Sequence, residues 1–173
     1  MRWQVFCPAQ SSFRTCRTRR STRAPRHIKL WRVATQVFQY HDRVTYAQCT
    51  VGDHVYYARY LDFLEAARGE FFRQLGLAFL QLQQRDVIFP VIECRLRYKS
   101  PARYDDVLTI SVWPSATQGV RLNFGYRITN QNHALVLEAE TVHVCTGLNE
   151  RPKRLPVELI EKLAPYLAAR PQL

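Results

Sequence analysis

The sequence predicts an α+β domain in which one long amphipathic helix packs on an antiparallel sheet of five or six strands. Over residues 57–75, apolar positions recur three and four residues apart and so line one face of a helix. After residue 86 come several short segments rich in β-branched and aromatic residues, each bounded by Pro, Asp-Asp, Gly or Asn. At 173 residues with 47% hydrophobic composition, the chain can bury one good core.

The first strand and the long helix are predicted at the start of this domain. Val37 to Thr50 is strand-like, with aromatic and β-branched residues on one alternating face, and Gly52 ends it. The helix runs from about Tyr57 to Leu75, and Gly76 stands where a C-terminal cap is expected. Its predicted buried face consists of Tyr60, Leu61, Leu64, Ala67, Phe71 and Leu75.

The remaining elements are one short helix, a run of strands and a terminal helix. A second helix is predicted over Phe79 to Arg85, a hairpin turn over Asn130 to His133 and a terminal helix over Pro156 to Ala169. The predicted strands are Val87 to Tyr98, Val107 to Trp113, Val120 to Thr129 and Leu135 to Thr146.

Residues 1–36 differ from the rest of the chain and form a predicted disordered extension to a domain of residues 37–173. They contain nine of the 25 Lys and Arg residues and no Asp or Glu, so the remaining 16 basic residues face 14 acidic ones. Three interpretations stay open for the extension: an upstream region translated from a misplaced start, an organellar transit peptide, or a nucleic-acid-binding arm. Because residues 37–173 are nearly neutral, we do not expect nucleic-acid binding by the domain.

Several classes of protein are disfavoured by the sequence. No apolar run approaches the ~20 residues of a membrane span, and the N-terminus lacks the apolar stretch of a secretory signal. The five cysteines show no CxxC spacing, so we expect reduced thiols and a cytoplasmic location, with a transit peptide still open. Metal-ligand spacing, a phosphate-binding Gly-rich loop and a GxSxG elbow are all missing from the sequence. We therefore expect no metal and no cofactor.

Two segments carry a resemblance to a known family. They are RVTYAQCTVGDHVYYARYLDFLEAAR, residues 43–68, and RYKSPARYDDVLTI, residues 97–110. Together they resemble the hotdog-fold acyl-CoA thioesterases of the 4-hydroxybenzoyl-CoA thioesterase family, over about residues 37–165. The resemblance implies that the sheet wraps the long helix and that subunits join edge to edge, as a homodimer or homotetramer with active sites at the interface.

The resemblance also locates a candidate active site, with one departure from the family. Where the family motif places its catalytic Asp, this chain has Thr50, and the paired acidic positions become Gln48 and Thr50. The His that some members carry near the helix start becomes Tyr57, and the family uses the backbone amide at that position to hold the oxyanion. Unsatisfied N–H groups at a helix N-terminus suit that role. Other thioesterases of this fold bind the attacking water with Gln and Thr, which suggests the same for Gln48 and Thr50.

Three titratable residues are candidates for the missing base. Asp53 and His54 lie nearest to the lost Asp, although Asp53 would serve equally as a helix-capping acceptor and His54 as a packed histidine. Glu65 follows Tyr57 by eight residues and matches an acidic position of some family members. Its structural alternative is an exposed charge paired with Arg68.

The coenzyme A end of a substrate requires basic residues that meet phosphates. The candidates are Arg59, Arg97, Lys99 and Arg103. Arg97 and Lys99 alternate with Leu96 and Tyr98, so a solvated strand face explains them as well. The segment Ser115 to Gly119, which matches a basic hairpin in some relatives, carries no charge and is predicted as a loop.

Two further sets of residues have structural interpretations. Asp105 and Asp106 are interpreted as turn residues whose carboxylates accept backbone N–H bonds, and Cys49 as a small packed residue rather than a nucleophile. The sequence therefore predicts an acyl-CoA thioester hydrolase with a non-standard base. The alternative is a non-catalytic hotdog protein that binds acyl thioesters or acts as a scaffold.

Overall fold

A computed structural model describes residues 36–167 of the chain, and those residues form an α+β domain. The elements are β1 (Phe38–Arg43), β2 (Cys49–Thr50), β3 (His54–Val55), α1 (Arg59–Gln74), α2 (Phe79–Gln84), β4 (Val91–Tyr98), β5 (Val107–Gln118), β6 (Arg121–Thr129), β7 (Leu135–Val144) and α3 (Val157–Leu167). Five strands form an antiparallel sheet in the order β1-β5-β6-β7-β4, and β2 pairs with β3. The extension predicted over residues 1–36 lies outside the described residues, apart from Gln36, as do positions 168 and 169 of the predicted terminal helix.

The predicted long helix is confirmed as α1, but its buried face lies slightly further around the helix than predicted. Tyr60, Leu64, Ala67 and Phe71 are buried as expected, whereas Leu61 is 43% exposed. The buried positions also include Phe63 and Phe72. Because successive helical residues are about 100° apart, a stripe that includes positions 60, 63, 64, 67 and 71 leaves position 61 on its flank.

The end of α1 follows the predicted glycine cap. Gly76 has a φ of +68°, the left-handed conformation that glycine adopts without steric cost. The Gly76 N–H donates to the Arg73 carbonyl at 2.9 Å, and the Leu77 N–H donates to the Phe72 carbonyl at 2.9 Å. These bonds satisfy carbonyl groups of the last helical turn.

The core lies between α1 and the inner face of β5 and β6. Alternate residues of both strands are fully buried, as the period-two pattern predicts. Phe124 of β6 lies 6.4 Å from Phe71 and 6.0 Å from Phe72 between ring centroids. On the outer face, the Trp113 indole covers Gly125 so closely that a Cβ there would lie 2.5 Å from a ring atom.

Three predicted boundaries are wrong. Strand β4 begins at Val91 rather than Val87, since Ile88 forms only an isolated bridge with Thr146 and Pro90 has no N–H to donate. The first strand ends at Arg43 rather than Thr50, because the backbone of the buried Val44 bonds to the Asp105–Asp106 turn and the chain then forms a 3-10 turn over Tyr46–Gln48. Ser115 to Gly119 is not a loop, since β5 continues through Gln118 and pairs with β6 along its length. The reversal occurs at Gly119, which has a φ of +62°.

The last strands and helix agree with the prediction more closely. The β6–β7 hairpin turns at residues 130–133, with the His133 N–H donating to the Asn130 carbonyl at 2.9 Å. Helix α3 packs beside α1, where the ring of Tyr166 meets that of Phe71 at 4.9 Å. Among the described helices, none combines the length and the apolar character that a membrane crossing requires.

Candidate functional site

The two segments that carry the family resemblance meet in space. The Asp53 carboxylate accepts a hydrogen bond from the Tyr104 backbone N–H at 3.4 Å and lies 3.8 Å from the Arg103 guanidinium. Arg103 also donates to the Gly52 carbonyl at 3.4 Å, and its backbone forms an isolated bridge with His54. The turn that contains the candidate base is therefore held by the loop that precedes β5.

The side chains of the β2–β3 hairpin lie on two different faces. Cys49 pairs with Val55 and Thr50 pairs with His54 across the ladder. Since residues directly opposite share a face, Thr50 and His54 lie together on one side, and Cys49 and Val55 lie on the other. Val55 is buried and Cys49 packs against the core. One side of the hairpin thus carries both the Thr50 hydroxyl and the His54 imidazole.

Gln48 is already engaged at one end of its side chain. Its Oε1 accepts a bond from the Thr45 backbone N–H at 2.7 Å and another from the Thr45 hydroxyl at 3.0 Å. Its carbonyl accepts the Tyr56 N–H at 2.9 Å and closes the base of the hairpin. Only the amide NH₂ group of Gln48 is left to donate to a ligand or a water.

Asp53 does not cap α1, so that structural alternative is wrong. The helix begins at Arg59, its N-cap position is Ala58, and no side chain caps it. Asp53 lies at the tip of the hairpin with a φ of +60° and a half-exposed carboxylate. Its hydrogen bond and its distant ion pair with Arg103 leave lone pairs of the carboxylate accessible to water.

The start of α1 presents free backbone donors. The Arg59 N–H donates to the Tyr56 carbonyl at 2.8 Å, which closes a turn. Over residues 36–167, the Tyr57 and Ala58 N–H groups meet neither a backbone nor a side-chain acceptor. Tyr57 is 62% exposed, so a ligand can approach these groups. An uncapped N-terminus with partial positive charge favours a developing negative charge.

Glu65 is exposed on α1 and forms no ion pair with any residue that the structure describes. The alternative in which Glu65 pairs with Arg68 is wrong, because the Arg68 guanidinium donates instead to the Tyr126 hydroxyl at 3.4 Å. Glu65 follows Tyr57 by eight residues, which is about 12 Å along a helix axis. Within one subunit, the Glu65 carboxylate is therefore remote from the Tyr57 amide.

The four basic candidates fall into two groups. Arg59 pairs with Asp62 at 3.2 Å, and it lies on the same side of the sheet as Arg103 and the hairpin. Arg97 and Lys99 lie on the outer face, where Lys99 pairs with Glu138 at 3.3 Å. Arg97 there lines a shallow cavity of about 410 Å³, which is separated from the hairpin by the sheet.

Both aspartates of the second segment have structural roles. The Asp106 carboxylate accepts a backbone N–H bond as predicted, whereas the Asp105 carboxylate pairs with Arg43. Asp106 accepts the Arg103 backbone N–H at 2.8 Å and the Gln131 amide at 2.7 Å. Asp105 has a φ of +67° and pairs with Arg43 at 2.8 Å. These bonds tie the entry of β5 to the end of β1 and to the β6–β7 turn.

Cys49 shows no sign of a nucleophile. Burial, followed by the nearby Asp53 charge, raises the pKa of its thiol, and its Sγ lies 3.6 Å from the Thr45 carbonyl oxygen as a weak donor. In the part of the chain that is described, no three His, Cys, Asp or Glu side chains gather in an arrangement that could hold a metal ion.

The sequence did not predict two features of this region. One is Tyr98 of β4, whose hydroxyl donates to the Tyr57 carbonyl at 3.0 Å. The other is a buried polar chain in which the Tyr126 hydroxyl, the Thr141 hydroxyl and His143 Nε2 are joined at 3.2 and 2.8 Å. The inward positions of β7 could have indicated the chain, because Thr141 and His143 fall in the same alternating series as the buried Leu137.

Comparisons with known proteins find relatives over nearly the whole described domain. The sequence profile of the thioesterase-like superfamily matches residues 37–163. The acyl-CoA thioester hydrolase YbgC of Escherichia coli is 35% identical over 127 residues, which cover 73% of this chain and 95% of that protein. A 1,4-dihydroxy-2-naphthoyl-CoA hydrolase of Thermosynechococcus vestitus is 27% identical over 139 residues, covering 80% and 93% of the two chains.

Solved structures show the same fold. A protein from Thermus thermophilus, 30% identical, superposes with a TM-score of 0.69 over 73% of this chain and 96% of that one. A probable thioesterase from Bartonella henselae is 28% identical with a TM-score of 0.67, over 70% of this chain and 100% of its own. A Staphylococcus aureus protein in complex with CoA has a TM-score of 0.74 at 18% identity, over 80% and 89% of the chains, which shows the fold alone. The predicted hotdog fold is confirmed.

Proposed function

Because the chain belongs to the thioesterase-like superfamily, we propose that it hydrolyses acyl-CoA thioesters to a carboxylic acid and free coenzyme A. The activities for which its relatives in Escherichia coli and Thermosynechococcus vestitus are named support this reaction. The observation that carries the proposal is the uncapped start of α1 directly after the β2–β3 hairpin, where the Tyr57 and Ala58 N–H groups meet no acceptor among the described residues and Tyr57 is exposed. Coenzyme A enters as part of the substrate, and no further cofactor takes part.

The oxyanion of the reaction would form at the Tyr57 amide. A thioester carbonyl oxygen gains negative charge when water attacks its carbon, and the Tyr57 N–H stabilises that charge together with the helix dipole. A backbone donor remains whatever side chain the position carries. This explains how Tyr57 can replace the histidine of other family members without loss of the donor.

Asp53 is the base that this geometry favours within one subunit. Its accessible carboxylate removes a proton from water, and the hydroxide attacks the thioester carbon. The tetrahedral intermediate then collapses, the carbon–sulfur bond breaks, and the departing thiolate takes up a proton. The Thr50 hydroxyl and the Gln48 NH₂ group orient the water, and His54, on the same face as Thr50, is the remaining group able to carry the proton.

Glu65 would act only across a subunit interface, given its distance of about 12 Å along the helix from Tyr57. We propose such an interface at β4, as a homodimer or a tetramer built from dimers. One side of β4 pairs with β7, and its other side has no strand partner in the described domain. Ile92 is 54% exposed and Tyr98 is 49% exposed on this strand, so pairing would cover apolar surface.

Arg59 and Arg103, which lie near the hairpin, would meet the phosphates of coenzyme A. Their present partners are exposed carboxylates, which a phosphate can replace at little cost. Arg97 and Lys99 face the other side of the sheet and reach the same ligand only if it crosses the β4 edge.

A protein that binds acyl thioesters without hydrolysing them is the second candidate function. The observation in its favour is Thr50, which stands where the family places its catalytic Asp. Thr50→Asp decides between the two functions. A large gain in hydrolysis would identify the natural chain as a binding protein, whereas a loss would show that Thr50 belongs to a working site.

The direct test is hydrolysis of short, long and aromatic acyl-CoAs by the purified chain, followed as release of free thiol. Removal of a general base typically lowers the rate 10²–10⁴-fold. We expect a loss of that order for Asp53→Asn and a much smaller one for Glu65→Gln. The matched control is Asp105→Asn, which changes another exposed aspartate with positive φ outside the hairpin.

The outcomes separate the candidates. A large loss in Glu65→Gln alone would move the base to the subunit interface. Near-wild-type rates in both variants would exclude both carboxylates and leave His54. A chain that binds acyl-CoAs and releases no thiol from any of them would contradict the hydrolase.

A further inference from the structure

Tyr98 connects the unpaired edge of the sheet to the start of α1. It is the last residue of β4, and its hydroxyl donates to the Tyr57 carbonyl at 3.0 Å. Its ring packs edge to face on the buried Tyr60 of the first helical turn, with centroids 5.4 Å apart. Tyr60 is held in turn by the Ala102 N–H, which donates to its hydroxyl at 3.2 Å. The packing on Tyr60 and the hydrogen bond itself therefore hold the Tyr98 hydroxyl against the 57–58 peptide.

The peptide that accepts this bond joins Tyr57 to Ala58. Described residues contain no cis peptide bond, so this group is trans and its N–H, which belongs to Ala58, points opposite to the Tyr57 carbonyl. The Ala58 N–H meets no acceptor in the described domain and follows directly after the free Tyr57 N–H. A hydrogen bond to a carbonyl polarises its peptide and strengthens the N–H at the other end as a donor.

We propose that Tyr98 is a positioning residue for the oxyanion: its hydroxyl fixes and polarises the 57–58 peptide, so that the Ala58 N–H acts as a second oxyanion donor beside the Tyr57 N–H. This inference rests on the proposed hydrolase function. The Tyr98 hydroxyl keeps its proton for this purpose, since burial, followed by nearby Cys94 and Tyr57, raises its pKa. The oxyanion exists only after attack on the carbonyl, so the contribution is to kcat rather than to substrate binding.

The test is Tyr98→Phe, which removes the hydroxyl and keeps the ring on Tyr60. Loss of one neutral hydrogen bond predicts a fall in kcat of about five-fold with KM unchanged. The matched control is Tyr40→Phe on β1, at the opposite edge of the sheet, which should keep the wild-type kcat.

The affinities for two coenzyme A analogues distinguish a positioning role of Tyr98 from a merely structural one. A trifluoromethyl ketone, whose hydrated form mimics the tetrahedral oxyanion, should bind Tyr98→Phe about five-fold more weakly than wild type. A thioether, which has no carbonyl to become an oxyanion, should bind both proteins equally. Equal weakening for both analogues, or an unchanged kcat, would overturn the positioning role.

Failure of the proposed function is distinguishable from failure of this inference. A wild-type chain that hydrolyses no acyl-CoA rejects the function, and the two affinities then decide the role of Tyr98 by themselves. If that inactive chain also binds the ketone no better than the thioether, there is no oxyanion site and the inference falls too.

Discussion

The centre of the sheet and its β4 edge are built from similar residues and differ in what covers them. In β5 and β6, inward residues such as Ile110 and Phe124 are essentially fully buried beneath α1. In β4, only Leu96 is even half-buried, although the strand also carries Ile92 and Tyr98. The centre is complete within one chain, whereas the edge exposes apolar groups and unpaired backbone.

This difference bears on where the proposed site lies. The proposed site lies against the incomplete side of the molecule, since Tyr98 of β4 bonds directly to the turn that starts α1. The centre of the sheet supports α1 through ring contacts of Phe124 with Phe71 and Phe72. A site on an open edge can be finished by a second subunit without disturbing the core.

The largest expected effect is loss of packing at the centre. Phe124→Ala removes a buried ring and should lower the free energy of unfolding by about 3–5 kcal/mol, measured by urea denaturation. Ile92→Ala at the edge, measured at submicromolar chain concentration, should cost less than about 1 kcal/mol. Similar losses in the two variants would contradict the contrast between centre and edge.

The next effect concerns His143, the buried histidine of β7. Burial, followed by the charge of Arg68, lowers the pKa of His143 from 6.5 to about 4. Between these values the unfolded chain binds a proton that the native chain does not, so stability falls as the pH falls. The free energy of unfolding should drop by about 3 kcal/mol between pH 7 and pH 4 on account of this residue.

The measurement is urea denaturation across that pH range. The dependence of the unfolding free energy on pH should weaken in His143→Gln, because the buried imidazole is gone. It should be retained in His133→Gln, at the exposed β6–β7 turn. An unchanged slope in His143→Gln would assign the acid sensitivity to other groups.

The smallest expected effect on the unfolding of the chain comes from a charge placed on the edge. Ile92→Lys should leave the free energy of unfolding of a single chain within about 1 kcal/mol, because the side chain is 54% exposed. Its effect should fall on assembly, with sedimentation showing monomers at micromolar concentration. Val157→Lys, on the exposed side of α3, is the control that should remain associated. A wild-type monomer with full activity would contradict the edge-to-edge proposal.

Elements whose cause is local could be predicted from the sequence. The buried stripe of α1 follows from apolar spacing, and its end follows from Gly76, whose positive φ needs no distant partner. The strands β5, β6 and β7 follow from alternation. The two family segments located the hairpin and the loop that meet at Asp53 and Arg103.

Features that depend on residues far apart in the chain could be read from the folded structure and not from the sequence. Strand β1 stops at Arg43 because Val44 bonds to a turn some 60 residues later, and no local pattern contains that bond. The pairing of Glu65 with Arg68, expected from their spacing on the helix, gave way to Tyr126 on another strand. The bond from Tyr98 to Tyr57 spans 41 residues. Each is a contact that folding brings together, so its strength depends on burial and geometry that the linear sequence does not contain.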